Sequence, residues 1–149
     1  MRAIALAALC LATPLTAQEV AECDWRGMAS GIAEPWEQNS RAFANGAVRV
    51  ALIDTEEPAA AAMHFLVLSP EPEMGFRQCH VVSASGSLGF AALYFEELIA
   101  RYDPEDGLTI SVPGHRVWAD DGFSNAIRLN VTINQATGAV TATQDVAPG

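Results

Sequence analysis

Five side chains of the kinds that hold soft metal ions fall within one short stretch: Met63, His64, Met74, Cys79 and His80. Thioether, imidazole and thiolate together are what a copper site uses. Adjacent residues of a strand point to opposite faces, so neither Met63-His64 nor Cys79-His80 chelates an ion without a bulge. Copper handling through Met63, His64 and His80 is therefore a third reading, behind histidines satisfied in the core or at the surface. The run Ser83-Ala84-Ser85-Gly86-Ser87-Leu88-Gly89 raises a second chemistry. Ser85 or Ser87, activated by His80 or His115 with Asp120 behind, would make a small hydrolase. The run lacks the Gly-x-Ser-x-Gly elbow, and no parallel α/β alternation surrounds it, so a connecting loop is the preferred reading. Asp103, Glu105 and Asp106 beside Gly107 suggest a calcium loop, without the alternating ligands and terminal Glu that such loops carry. Turn chemistry explains both this segment and Asp120-Asp121-Gly122. Trp25, Trp36 and Trp118 could line a ligand site, but core packing and pinning of the N-terminal segment are the preferred roles. Asn130-Val131-Thr132 fits a glycosylation sequon in the middle of a strand. No phosphate loop, Cys-x-x-Cys pair or His-Glu-x-x-His helix occurs. The sequence thus assigns no catalytic residue, no cofactor and no metal ligand.

The start of the chain and its cysteines together indicate a compartment. Arg2 supplies a positive start, about ten apolar residues follow to Ala12, and Pro14 precedes the small pair Thr16-Ala17. Residues 1–17 read as a signal peptide cut after Ala17, although Leu15 departs from the small residue preferred three positions before the cut. The apolar run is half the roughly 20 residues a membrane span needs, and no later segment is long enough, so the mature chain is expected to carry no span. Cys10 follows the bulky Leu9 inside the apolar run, which argues against a lipoprotein. Removing the leader leaves Cys23 and Cys79, and an oxidising compartment joins two such cysteines as one disulfide. The formal charge is −10, with 18 acids against eight bases that are all arginine. Nucleic acid and anionic membranes, which demand basic patches, are poor partners for such a chain.

The elements that would position these residues are mostly strands. No linker or low-complexity tract divides residues 18–149, which are expected to form a single β-rich domain with an irregular N-terminal arm over residues 18–39. Beyond residue 40, short apolar runs recur between turn signals every 8–12 residues or so, the spacing of a sandwich or barrel. Asn45-Gly46 favours a hairpin pairing residues 40–44 with 47–51 over a short helix across residues 35–44. Residues 61–68 are apolar on both faces, with His64, Leu66 and Leu68 opposite Met63, Phe65 and Val67, as a central strand requires. Residues 76–83 form the next strand, and the middle of residues 90–100 favours a short helix. Two further hairpins turn through residues 103–107 and 134–138, each opened by Asp or Asn and closed by a left-handed Gly. In the last, Ile127, Leu129, Val131 and Ile133 face the core while Thr and Asn fill the wet face. The expected fold is all-β or β-dominated α+β: an antiparallel sandwich or meander of about eight strands with one short helix.

Glu34-Pro35-Trp36, Asn39-Ser40-Arg41, Phe43-Ala44-Asn45-Gly46, Asp54 to Pro58, His64 and Leu66-Val67-Leu68-Ser69-Pro70 resemble small secreted proteins of alphaproteobacteria that have no assigned activity. The alanine-rich, arginine-only composition is similar too. The resemblance covers most of the mature chain and implies export, but its motifs carry no chemistry, so no functional residue transfers. The resulting expectation is an exported periplasmic protein that binds an unidentified protein or small molecule without catalysis. A Ser/His hydrolase is the alternative, and a copper-binding protein the third reading.

Overall fold

The computed structural model describes residues 18–118 and 122–146. Residues 1–17, expected to be a leader, and the acidic pair Asp120-Asp121 lie outside the described residues. Among the described residues ten strands run in chain order: β1 (Glu19–Glu22), β2 (Ser40–Phe43), β3 (Val48–Asp54), β4 (Met63–Pro70), β5 (Arg77–Ser83), β6 (Ala92–Leu93), β7 (Ile99–Asp103), β8 (Gly107–Val117), β9 (Ser124–Ile133) and β10 (Val140–Val146). They form two antiparallel sheets, one ordered β1-β5-β4-β3-β2 and the other β10-β9-β8-β6, with β7 also on β8. The expected β-dominated antiparallel sandwich is what the chain forms.

Period-2 patterning decides which face meets which. Val48, Val50, Phe65 and Val67 of the first sheet pack against Ile110, Val112, Leu129 and Val131 of the second in one continuous core. β4 is the middle strand of its sheet, and its other face is apolar too: Leu66 joins Ala51, Ile53 and Val81 in a second cluster. Cys23, Ile32 and Cys79 cover that second cluster. A sheet with two apolar faces needs a second cover, and the N-terminal segment supplies it.

The N-terminal segment is less irregular than its sequence suggests. Glu19–Glu22 adds β1 to the edge of β5, with Val20 opposite Val82, before two single 3₁₀ turns at Trp25–Gly27 and Ala29–Gly31. Four residues with one inward apolar side chain are too short for periodicity to show, so the exposed edge of β5 selects this strand. The same cause corrects the helix expected within residues 90–100. Only one 3₁₀ turn, Phe95–Glu97, forms there, between β6 and β7. β8 is 11 residues long, and its free edge needs hydrogen-bonding partners. Ala91 N–H donates to the His115 carbonyl and Tyr94 N–H to that of Pro113, while β7 pairs with residues 107–111. Those demands outweigh modest helix propensity. They also raise the strand count from about eight to ten.

The hairpins follow their turn residues. Ser40 pairs with Ala51 and Phe43 with Val48, as the Asn-Gly signal requires, but the loop is four residues wide, with Ala44 at φ 49° and Asn45 at φ 56°. At the other two, Gly107 and Gly138 take φ 98° and 76°, conformations that glycine enters at no steric cost. The Asp103 carboxylate accepts from Glu105 N–H at 2.8 Å, and the Asn134 amide oxygen accepts from Ala136 and Thr137 N–H at 3.0 and 3.1 Å. Asn134 also donates to the Glu105 carbonyl, tying the two turns together. Asn134→Ala is accordingly expected to cost about 1 kcal/mol in a urea melt. An unchanged midpoint would mean that Gly138 alone sets this turn.

Candidate functional site

The closest approach to catalytic geometry involves a serine and a histidine that the sequence did not pair. Ser83 ends β5 and His64 sits in β4, both completely buried on the outer face of the first sheet. The Arg26 guanidinium, held by the arm, donates to Ser83 Oγ at 2.8 Å and to the Gly86 carbonyl at 3.0 Å. Its other nitrogens grip the Asp24 carboxylate at 2.9 Å. Arginine only donates, so the Ser83 hydroxyl proton is left for His64 Nδ1 at 2.9 Å. His64 is therefore neutral, with its proton on Nε2, and that nitrogen has no hydrogen-bond partner among the described residues. Burial, and then the nearby Arg26 charge, push the His64 pKa down from 6.5 to about 4. The Arg26 hydrogen bond holds the Asp24 carboxyl below its usual range.

This cluster is chemically a clamp. A nucleophilic serine needs an open approach and a base of adequate strength. Ser83 is closed to solvent, its oxygen already accepts from Arg26, and His64 is a weak base. What the four residues accomplish is mechanical: they fasten the arm and the 85–88 turn onto a sheet face that would otherwise stand open.

The residues singled out from sequence are scattered. Ser85 and Ser87 lie exposed in the turn after β5, and neither hydrogen-bonds to a histidine among the described residues. His115 belongs to the second sheet, where its Nδ1 meets Ser124 Oγ at 3.2 Å and its ring contacts Tyr94 edge-on. His80 lies opposite Val67 on the core side of the first sheet, whereas His64 is on the outer side. The two imidazoles therefore face apart, and burial lowers the pKa of His80 as well. Met63 leans on the core, Met74 is exposed in the β4–β5 turn, and Cys79 is bonded to Cys23. The copper set never converges. Asp103 spends its carboxylate on turn amides, as the turn reading expects. Two tryptophans correct the expectation of core packing: Trp25 and Trp36 are 59% and 47% exposed, while Trp118 is partly buried, with the Arg116 guanidinium 4.4 Å from its ring centre. The aromatic side chains of the core are Phe65, Phe90 and Phe95, among valines, leucines and isoleucines. Asn130 of the sequon lies in mid-strand and bonds to Asp145 and Ser111.

The feature sequence reasoning missed is a surface. The outer face of the second sheet carries an open groove of about 670 Å³. Register places Thr109, Thr132 and Thr141 in one row and Ser111, Asn130 and Thr143 in the next. Thr109 and Thr132 hydroxyls bond at 3.0 Å, and Ser111 donates to the Asn130 oxygen at 2.7 Å, so the floor is held in place before any ligand arrives. Thr-x-Ser, Asn-x-Thr and Thr-x-Thr at residues 109–111, 130–132 and 141–143 were the available signal; only the pairing of β8, β9 and β10 makes them neighbours. Against known proteins, no family model matches the chain, and neither a curated protein nor a solved structure matches it.

Proposed function

We propose that this chain is an exported, non-enzymatic binding domain. The hydroxyl-lined groove on the second sheet carries the reading. It is open, polar and preorganised by cross-strand hydrogen bonds, which suits recognition and supplies no activated nucleophile. Location is supported by the Cys23–Cys79 disulfide, which persists in oxidising compartments. The leader-like start at residues 1–17 and the likeness to small secreted alphaproteobacterial proteins agree with a periplasmic or secreted site. Partners are a protein or a small molecule, with nucleic acid disfavoured by a formal charge of −10.

The test is expression of the full chain with its leader, followed by fractionation, intact mass and a hydrolase screen. Export with cleavage after Ala17, no titratable thiol, and no ester, peptide or glycoside turnover are expected. Retention in the cytosol with two free thiols would overturn the location. Turnover that disappears in Ser87→Ala or His115→Ala would overturn the non-enzymatic reading.

A further inference from the structure

The two ends of the groove repeat one chemical device. Arg101 and Asp106 line one end, Arg128 and Asp145 the other. Arg128 and Asp145 are directly opposite in register, yet Asp145 accepts from the Asn130 amide at 2.9 Å instead. Neither Arg101 nor Arg128 makes a side-chain hydrogen bond or ion pair among the described residues, and Arg101 acts on Asp103 only through its field. The guanidiniums of Arg26, Arg41, Arg49 and Arg116 are all hydrogen-bonded, whereas Arg77 on the first sheet, like the two groove arginines, makes no side-chain hydrogen bond among the described residues. Each end thus carries an arginine with no side-chain hydrogen bond among the described residues and a carboxylate that lines the same groove. A vicinal diol matches that couple: one hydroxyl accepts from arginine while its neighbour donates to aspartate.

Length and charge narrow the ligand. Arg101 is opposite Thr109 and Arg128 opposite Pro113, so they are two strands and four residues apart, about 17 Å between backbones. That exceeds a single sugar ring. Between them lie the Thr, Ser and Asn rows, which both donate and accept. Ile99, 59% exposed at the flank, offers an apolar patch for the C–H face of a ring. Positive and negative groups balance along the groove, and the whole chain carries −10, so a polyanion gains nothing here.

We propose that this groove binds a neutral oligosaccharide several units long, with Arg101/Asp106 and Arg128/Asp145 each gripping a vicinal diol. The inference rests on the binding-domain reading and names its ligand class. The test is native affinity electrophoresis of the oxidised mature chain in gels containing dextran, laminarin, starch or galactomannan, with alginate as the anionic comparison and a reducing-end assay on each mixture. Retardation by at least one neutral polysaccharide is expected, weakened about tenfold by Arg101→Ala and by Arg128→Ala, and unchanged by Arg77→Ala on the other sheet. Both groove arginines are exposed, so the variants are expected to keep the parent thermal midpoint. No retardation by any of the four neutral polymers, retardation by alginate alone, or retardation indifferent to both arginine substitutions overturns the proposal. New reducing ends from a bound polymer would overturn the non-enzymatic reading while leaving the ligand class standing. Absence of both binding and cleavage would sink the ligand class alone.

Discussion

Replacing Cys23 and Cys79 together by serine is expected to remove about 4 kcal/mol of stability, the chain-entropy value for a bridge closing a loop of this size. The two cysteines are 56 residues apart in sequence, with Cα atoms 5.3 Å apart, so the bridge spans most of the first sheet's connectivity. It fixes the arm where Cys23 N–H donates to the Cys79 carbonyl and where the arm covers Leu66 and Val81. A domain of this size is typically stable by only about 5–15 kcal/mol, so the double variant should unfold at much lower urea. The check is a urea titration of the oxidised parent, the reduced parent and the double variant. Reduction and substitution should agree. A loss below about 1 kcal/mol would show that the unfolded chain is already restrained without the bridge, so that little loop-closure entropy is removed by it.

Acidification is expected to destabilise the protein between pH 6.5 and about 4, through His64. In the unfolded chain His64 takes up a proton near its ordinary pKa of 6.5, whereas in the folded chain burial and Arg26 delay protonation to about 4. Between those values the unfolded state holds more protons, so stability rises with pH across the window. It is complete above about 6.5, falls on acidification, and levels off below about 4; the full shift is worth about 3 kcal/mol. His80, also held neutral by burial, acts in the same direction. Asp24 is separable: its carboxyl is held below the ordinary 3.8, so its contribution is present above that value and fades only under stronger acid. Urea midpoints at several pH values, for the parent and for His64→Asn, decide the matter. Asparagine keeps an acceptor for the Ser83 hydroxyl but does not titrate, so the variant should have a lower baseline and a flatter acid limb. An equally steep limb in the variant would assign the acid sensitivity to other groups.

Much of the fold was legible from particular residues. The double-faced apolar pattern of residues 63–68 marks β4 as central because a strand with no wet side must be covered twice. Asn45-Gly46, Asp103 and Asn134 with their glycines mark three hairpins because turn geometry is chosen by two or three adjacent residues. Cys23 and Cys79, the two cysteines outside the apolar start of the chain, are the pair that forms the bridge. The absence of a helix within residues 90–100, the short strand β1 in an otherwise irregular arm and the exposure of Trp25 and Trp36 were not legible in the sequence for one shared reason. Each depended on distant partners: the open edge of β8, the open edge of β5, and the set of residues that the two sheets bring together in the core.

The candidate site shows the same division more sharply. Serine and histidine types were visible, but sequence proximity pointed to Ser85, Ser87, His80 and His115, while the actual hydrogen bond joins Ser83 to His64. Local chemistry, being carried by neighbouring residues, was determined by the sequence alone: a β-rich antiparallel body, its turns, its acidic charge and its cysteine pair. Which face each histidine occupies, the clamp from Asp24 to His64, and the alignment of three separate Thr/Ser/Asn triplets into one groove were decided only in the tertiary structure. Strand register brings together residues tens of positions apart, and a slip of one residue would turn every one of those side chains to the opposite face.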